Sequence, residues 1–173
     1  EQYRLLETEY NYAAYLTAIL DNLNDVVVTI DTNGTIITAN KTMSTIFGYE
    51  PEEIMGQDVS ILMPDPYAKY HSEFLKHYLE TGRAKIIGVG RELPGLHKSG
   101  RVFSIELSLS EVVQDGQRQF IGIVKDITER KKAMEAIYKT AYFDDLTELP
   151  NMRSFEMDLA RVLNQASSQF NAL

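Results

Sequence analysis

The chain has no cysteine among its 173 residues. That absence excludes a disulfide framework, a thiolate nucleophile, an iron–sulfur site and a cysteine–flavin photoadduct. Histidine is scarce, with three in the chain, and three imidazoles without a thiol make a poor donor set for structural zinc. Tryptophan is missing as well, which decides little. No apolar run approaches the roughly 18 residues of a membrane span, so no membrane contact is expected from this stretch, although a longer parent protein would be free to carry an anchor. The opening, EQYRLLETEY, lacks the basic and apolar regions of a signal peptide, and the expected location is cytoplasmic. Lysine and arginine total 17 against 25 acidic residues, a net charge of −8. Such a surface argues against nucleic acid as a partner, because neutralising phosphates takes basic side chains.

What is present is a hydrophobic fraction of 44%, ordinary for a globular chain and sufficient for one medium domain with appendages. Residues 3 to 23 read as an amphipathic helix, with Leu6, Ala13 and Leu20 on one seam and Tyr3, Tyr10 and Thr17 on another. That helix either pairs with a second copy or folds onto its own domain. Val26 to Asp31 and Thr35 to Ala39 flank Asn33-Gly34, a strong hairpin signal because the turn needs residues that tolerate positive φ. Asn40 is placed to cap a short helix ending at Gly48. Pro51 opens another that Gly56 closes, and a further turn falls near Asp58 to Leu62.

A longer helix is expected from about Pro66 to Gly82. Its apolar stripe reads Tyr67, His71, Phe74, Leu75 and Tyr78, so His71 points inward and His77 lies near solvent. An inward imidazole suits either a metal ligand or a core histidine with a satisfied hydrogen bond. Strands follow from Lys85 to Leu93, Arg101 to Val113 and Gln119 to Lys125. The middle one carries Phe103, Ile105, Leu107 and Leu109 on one face. Strict alternation puts Ile86 and Arg91 on opposite faces unless Gly88-Val89-Gly90 bulges. Arg91 alone reads equally well as a strand-end arginine paired with Glu92 or Glu106. A charged helix with Ile127, Met134 and Ala141 in one heptad position comes next. The order strand, strand, short helices, then three strands describes an antiparallel sheet with helices on one face, an α+β fold.

From Leu16 to Arg130 the chain resembles a PAS sensor domain. The resemblance rests on Asp31-Thr32-Asn33-Gly34-Thr35-Ile36, Ala39-Asn40, Phe47-Gly48-Tyr49, Ile54-Met55-Gly56-Gln57, Lys98-Ser99-Gly100 and Asp126-Ile127-Thr128-Glu129-Arg130, in order along the sequence. It implies a five-stranded antiparallel sheet cupping a ligand, and a terminal Asp-Ile-Thr that couples the sheet to an output helix. The implied organisation is an N-terminal helix over 1–23, the PAS domain over 24–128, a signalling helix over 129–141 and a further segment over 142–173. That last segment, with Phe143-Asp144-Asp145-Leu146-Thr147-Glu148-Leu149-Pro150-Asn151, resembles the opening of a GGDEF diguanylate cyclase domain. Met152 stands where that family usually has arginine, and the metal-binding Gly-Gly-Asp/Glu-Glu-Phe loop is not in the sequence. The fragment is therefore expected to be no enzyme, and its parent a diguanylate cyclase with or without phosphodiesterase.

Within the PAS family, Met63 to Arg91 most resembles the oxygen-sensing haem domains of certain bacterial histidine kinases. This resemblance implies haem b, with His71 as the iron ligand through Nε2. It makes Arg91 the distal residue that meets a diatomic gas or swings to a haem propionate. Ile86, Leu107 and Leu109 would line the gas-binding side, and His77 and Lys85 fall where propionate partners are expected. The alternatives are an FAD-binding redox sensor and a cofactor-free PAS module for dimerisation and scaffolding, with an unknown small molecule in place of the gas. A homodimer through the N-terminal and connector helices completes the expectation.

Overall fold

The computed structural model describes the backbone of residues 2–82, 90–114, 116–144 and 146–170, with side chains throughout these ranges except at 2–10, 13, 158 and 163–170. The chain divides into two compact units, 1–127 and 128–173.

In the first unit, helix α1 (Gln2–Asp21) leads into strands β1 (Val26–Ile30) and β2 (Ile36–Ala39). Helices α2 (Thr42–Ile46) and α3 (Pro51–Ile54), a 3₁₀ turn (Val59–Leu62) and helix α4 (Tyr67–Thr81) form the crossover. Strands β3 (Arg91–Leu96), β4 (Val102–Gln114) and β5 (Gln117–Asp126) complete the sheet. The five strands pair antiparallel in the order β2-β1-β5-β4-β3. This is the expected α+β architecture. The strand expected from Lys85 begins, in the described residues, at Arg91 and runs on to Leu96; residues 83–89, with Lys85, Ile86 and the anticipated bulge at Gly88-Val89, lie outside them.

Alternation explains the core. Val26, Val28 and Ile30 of β1 are buried, as are Phe103 and Ile105 of β4 and Phe120 and Val124 of β5. They meet Met43, Ile46, Phe47, Ile54, Val59 and Leu62 from the crossover. Each such side chain contributes about 1.5–3 kcal/mol by leaving water. Phe47 and Phe103 add an edge-on ring contact with centroids 5.2 Å apart.

One local expectation changes. Asn40 does not cap α2: the cap position is Lys41, with no side-chain bond. Asn40 instead accepts the Val27 N–H at 3.0 Å and donates to the carbonyls of Leu20 (2.9 Å) and Asp25 (3.0 Å), tying the end of α1 and the start of β1 to the crossover. The side chains of Tyr3, Leu6, Tyr10 and Ala13 lie outside the described ones. Further along α1, Tyr12, Tyr15, Leu16, Ile19 and Leu20 are exposed.

The second unit is a helix pair, α5 (Thr128–Tyr142) and α6 (Met152–Phe170). Asp144 organises the turn between them, its Oδ1 accepting the Leu146 and Thr147 N–H groups and the Thr147 hydroxyl. Asn151 accepts the Ser154 N–H at the head of α6 and donates to the Ala141 carbonyl. Phe155, Leu159 and Val162 of α6 are exposed.

Candidate functional site

Helix α4 ends at Gly82, whose φ of 65° supplies the left-handed cap that returns its N–H to the Tyr78 carbonyl. The inward face of α4 is rotated from the expected stripe. Leu75, Tyr78 and Leu79 pack on the core, and Ala68 and His71 are half-buried. Phe74, expected inside, is 62% exposed, and Tyr67 lies near the surface. His71 thus keeps its inward position while two of its expected aromatic companions do not. His77 is exposed, as expected, and its carbonyl accepts the Thr81 hydroxyl.

The His71 ring lies over the β1–β2 turn, with Gly34 and the Asp58 carboxylate as neighbours. Burial pushes the imidazole below its ordinary pKa, and the Asp58 charge opposes that shift. Near neutral pH the ring is therefore uncharged, with a lone pair on one nitrogen.

The sheet brings other expected residues to a common face. Arg91 pairs directly with Leu107, and directly opposed residues project to the same side. Leu109 is opposite Gly122, and Gly122 is opposite Val28. A Cβ on Gly122 would come within 3.3 Å of Val28, 3.5 Å of Leu107 and 3.5 Å of Leu109. Gly122 therefore lets these three apolar side chains close over bare backbone at the middle of the sheet. Arg91 is exposed at the strand's start. His71 adjoins the β1–β2 turn, while Arg91, Leu107 and Leu109 share one face of the sheet. Ile86 and Lys85 are outside the described residues.

One polar cluster was not anticipated. The Tyr78 hydroxyl donates to Glu111 Oε2 at 2.6 Å, and Arg118 Nε donates to Glu111 Oε1 at 2.5 Å. Tyr78 also packs edge-on against Phe120, with centroids 5.7 Å apart. The Arg118 and Tyr78 hydrogen bonds hold the Glu111 carboxyl below its usual range, while the carboxylate raises the Tyr78 phenol. A signal for this cluster existed. Glu111 continues the inward parity of Phe103, Ile105, Leu107 and Leu109, and a carboxylate in that register needs a partner.

A sheet in this order, with a helical crossover over one face, is the architecture of a PAS sensor domain. Residues 14–127 match the PAS fold, and the chain belongs to that family. Among curated relatives it is 31% identical over 152 residues to the sensor protein FixL of Bradyrhizobium diazoefficiens, covering 87% of this chain and 30% of that protein. It is 28% identical over 112 residues to the oxygen sensor protein DosP of Escherichia coli, covering 65% and 14%. A probable serine/threonine-protein kinase of Dictyostelium discoideum is 39% identical over 110 residues, covering 64% and 7%. The chain thus spans less than a third of the length of these relatives. Among solved structures, a PAS domain from Colwellia psychrerythraea superposes with a TM-score of 0.57 at 26% identity, covering 69% of this chain and 99% of that one. The module is a PAS sensor domain of the kind found in signal-transduction proteins.

Proposed function

We propose that this chain senses through a haem b held by His71, with a diatomic gas as its signal. The observation that carries the reading is the half-buried His71 imidazole, kept neutral by burial on the inward side of α4. A neutral ring is the form in which histidine ligates iron. The apolar surface of Leu107 and Leu109 over Gly122, with Arg91 on the same face, supports it. So does kinship with a protein named as an oxygen sensor. The residues present therefore fit the group.

When bound, haem supplies an iron centre with an exchangeable coordination position. His71 would hold it through Nε2, Leu107 and Leu109 would keep water from the site, and Arg91 would supply a permanent positive charge there. His77, exposed on α4, would suit a propionate at the solvent edge; Lys85, the other expected propionate partner, lies outside the described residues.

Ligand state would reach the output through Asp126-Ile127-Thr128. Ile127 is buried and its N–H bonds the Ser104 carbonyl at 3.0 Å, which fixes the end of β5 where α5 begins. Homodimer contacts through α1 and α5 would then transmit the change. The exposed apolar residues of both helices, among them Leu16 and Ile19 of α1 and Met134 and Ile137 of α5, support that role. The GGDEF-like opening at 142–173 supports cyclic di-GMP turnover as the parent's output, with kinase output, represented among the relatives, as the competing reading. A Gly-Gly-Asp/Glu-Glu-Phe loop encoded downstream of Leu173 decides for the cyclase, and a kinase domain there decides against it.

The Tyr78–Glu111–Arg118 cluster favours a second reading, in which α4 is already closed on the sheet and the domain takes a small molecule or no cofactor. The absorption spectrum of protein produced with a haem precursor separates the two. A Soret band that disappears in His71→Ala is expected. A flavin double band would point to FAD, and a colourless protein that also fails haem reconstitution would remove the cofactor.

A further inference from the structure

The surroundings of His71 hold more than a ring facing inward. A Cβ placed on Gly34 would lie 3.7 Å from His71 Nδ1, 3.7 Å from His71 Cε1 and 3.7 Å from Asp58 Oδ2, its three nearest neighbours. The missing side chain leaves a methyl-sized gap, with a ring nitrogen on one wall and a carboxylate oxygen on another.

The Gly34 turn and the Asp58 carboxylate are both held by backbone bonds. Gly34 takes φ +88° in the turn, its N–H donates to the Asp31 carbonyl at 3.2 Å, and its carbonyl accepts the Val59 N–H at 2.9 Å. Asp58 forms a bridge with Thr35, and its Oδ1 accepts the Ser60 N–H at 2.8 Å as the cap of the 3₁₀ turn. Oδ1 is thereby engaged, and Oδ2 is the oxygen at the gap. His71 Nδ1 and Asp58 Oδ2 thus face the same gap, each at van der Waals distance from the position a Gly34 Cβ would take. Asp58 is also the charge that opposes the effect of burial on His71.

We propose that Asp58 is the positioning residue of His71: Oδ2 accepts the Nδ1–H, across the Gly34 gap, and holds the ring in the tautomer whose Nε2 carries the lone pair. The use of that lone pair rests on the haem reading, but the tautomer does not. A ring with hydrogen on Nε2 must lose that proton before Nε2 can ligate a metal. One fixed through Nδ1–H by a carboxylate is ready to ligate and is the stronger donor.

The test is the tautomer of His71 in the metal-free, ¹⁵N-histidine-labelled chain, read from long-range ¹H–¹⁵N correlations at a pH where the ring is neutral. The Nδ1–H form is expected in the unsubstituted protein. In Asp58→Asn the amide oxygen can keep the Ser60 cap while its NH₂ group faces the ring. That donor should turn Nδ1 into an acceptor and move the proton to Nε2. Far-UV circular dichroism of the variant should be unchanged. An Nε2–H ring in the unsubstituted chain overturns the proposal without reference to any variant, and so does an Asp58→Asn spectrum identical to it. With haem added, the iron–histidine stretch of the ferrous protein should move to lower frequency in Asp58→Asn. An Nδ1–H ring in a chain that gives no Soret band would sink the haem reading and leave Asp58's role standing.

Discussion

Asn40 is a buried polar residue whose carboxamide serves three backbone groups on two segments, the Val27 N–H and the Leu20 and Asp25 carbonyls. Removing it strands those groups where water reaches poorly, and an unsatisfied buried group costs about 1–3 kcal/mol. Asn40→Ala should lower unfolding stability by about 2–3 kcal/mol, measured by urea denaturation. A loss within about 0.5 kcal/mol, as for an ordinary surface change, would show that these bonds do not hold α1 to the sheet. The residue was legible as polar and capable of capping. Its partners lie 13 to 20 positions away, and local spacing carries no information about contacts at that separation. His71 was legible because burial on a helix follows a 3.6-residue period. Asp58 as its neighbour was not, because the β1–β2 turn brings it there.

Among elements, the strands and hairpins follow from alternation and turn chemistry: Asn33-Gly34 turns β1 into β2, and the inward run of β4 is as spaced. Helix α4 is a partial exception. Its inward face is turned slightly from the expected stripe: His71, Leu75 and Tyr78 stay inward, joined by Ala68 and Leu79, while Tyr67 and Phe74 turn outward. The Tyr78 bond to Glu111 fits that rotation, because it fixes the helix to β4 by a polar contact that a hydrophobic count ignores. This contact predicts an acid sensitivity. The folded Glu111 carboxyl titrates below its unfolded value, held down by Arg118 and Tyr78. The unfolded chain therefore binds more protons as pH falls through the carboxylate range. Glu111 contributes stability above its unfolded pKa, and that contribution is lost as pH falls through the folded one. Thermal melts between about pH 6 and pH 3 should show a shallower acid loss for Glu111→Gln than for the unsubstituted chain. Parallel curves would mean the cluster is too solvated to matter.

For the whole molecule, a PAS domain over residues 14–127 precedes a helical unit that begins at Thr128. The boundary falls within Asp-Ile-Thr, with Ile127 anchored in the domain core and Thr128 opening α5. Without cysteine, sensing by thiol oxidation or a covalent flavin adduct is closed to this chain. The fold was legible almost throughout, because its motifs recur in order across the domain. The ligand was not, since a neutral inward histidine serves a core as well as an iron. The most direct test is therefore the visible absorption spectrum of the purified chain after haem reconstitution. The account predicts a Soret band in the unsubstituted protein and none in His71→Ala. A chain that stays colourless, or a band that survives the loss of His71, would contradict it.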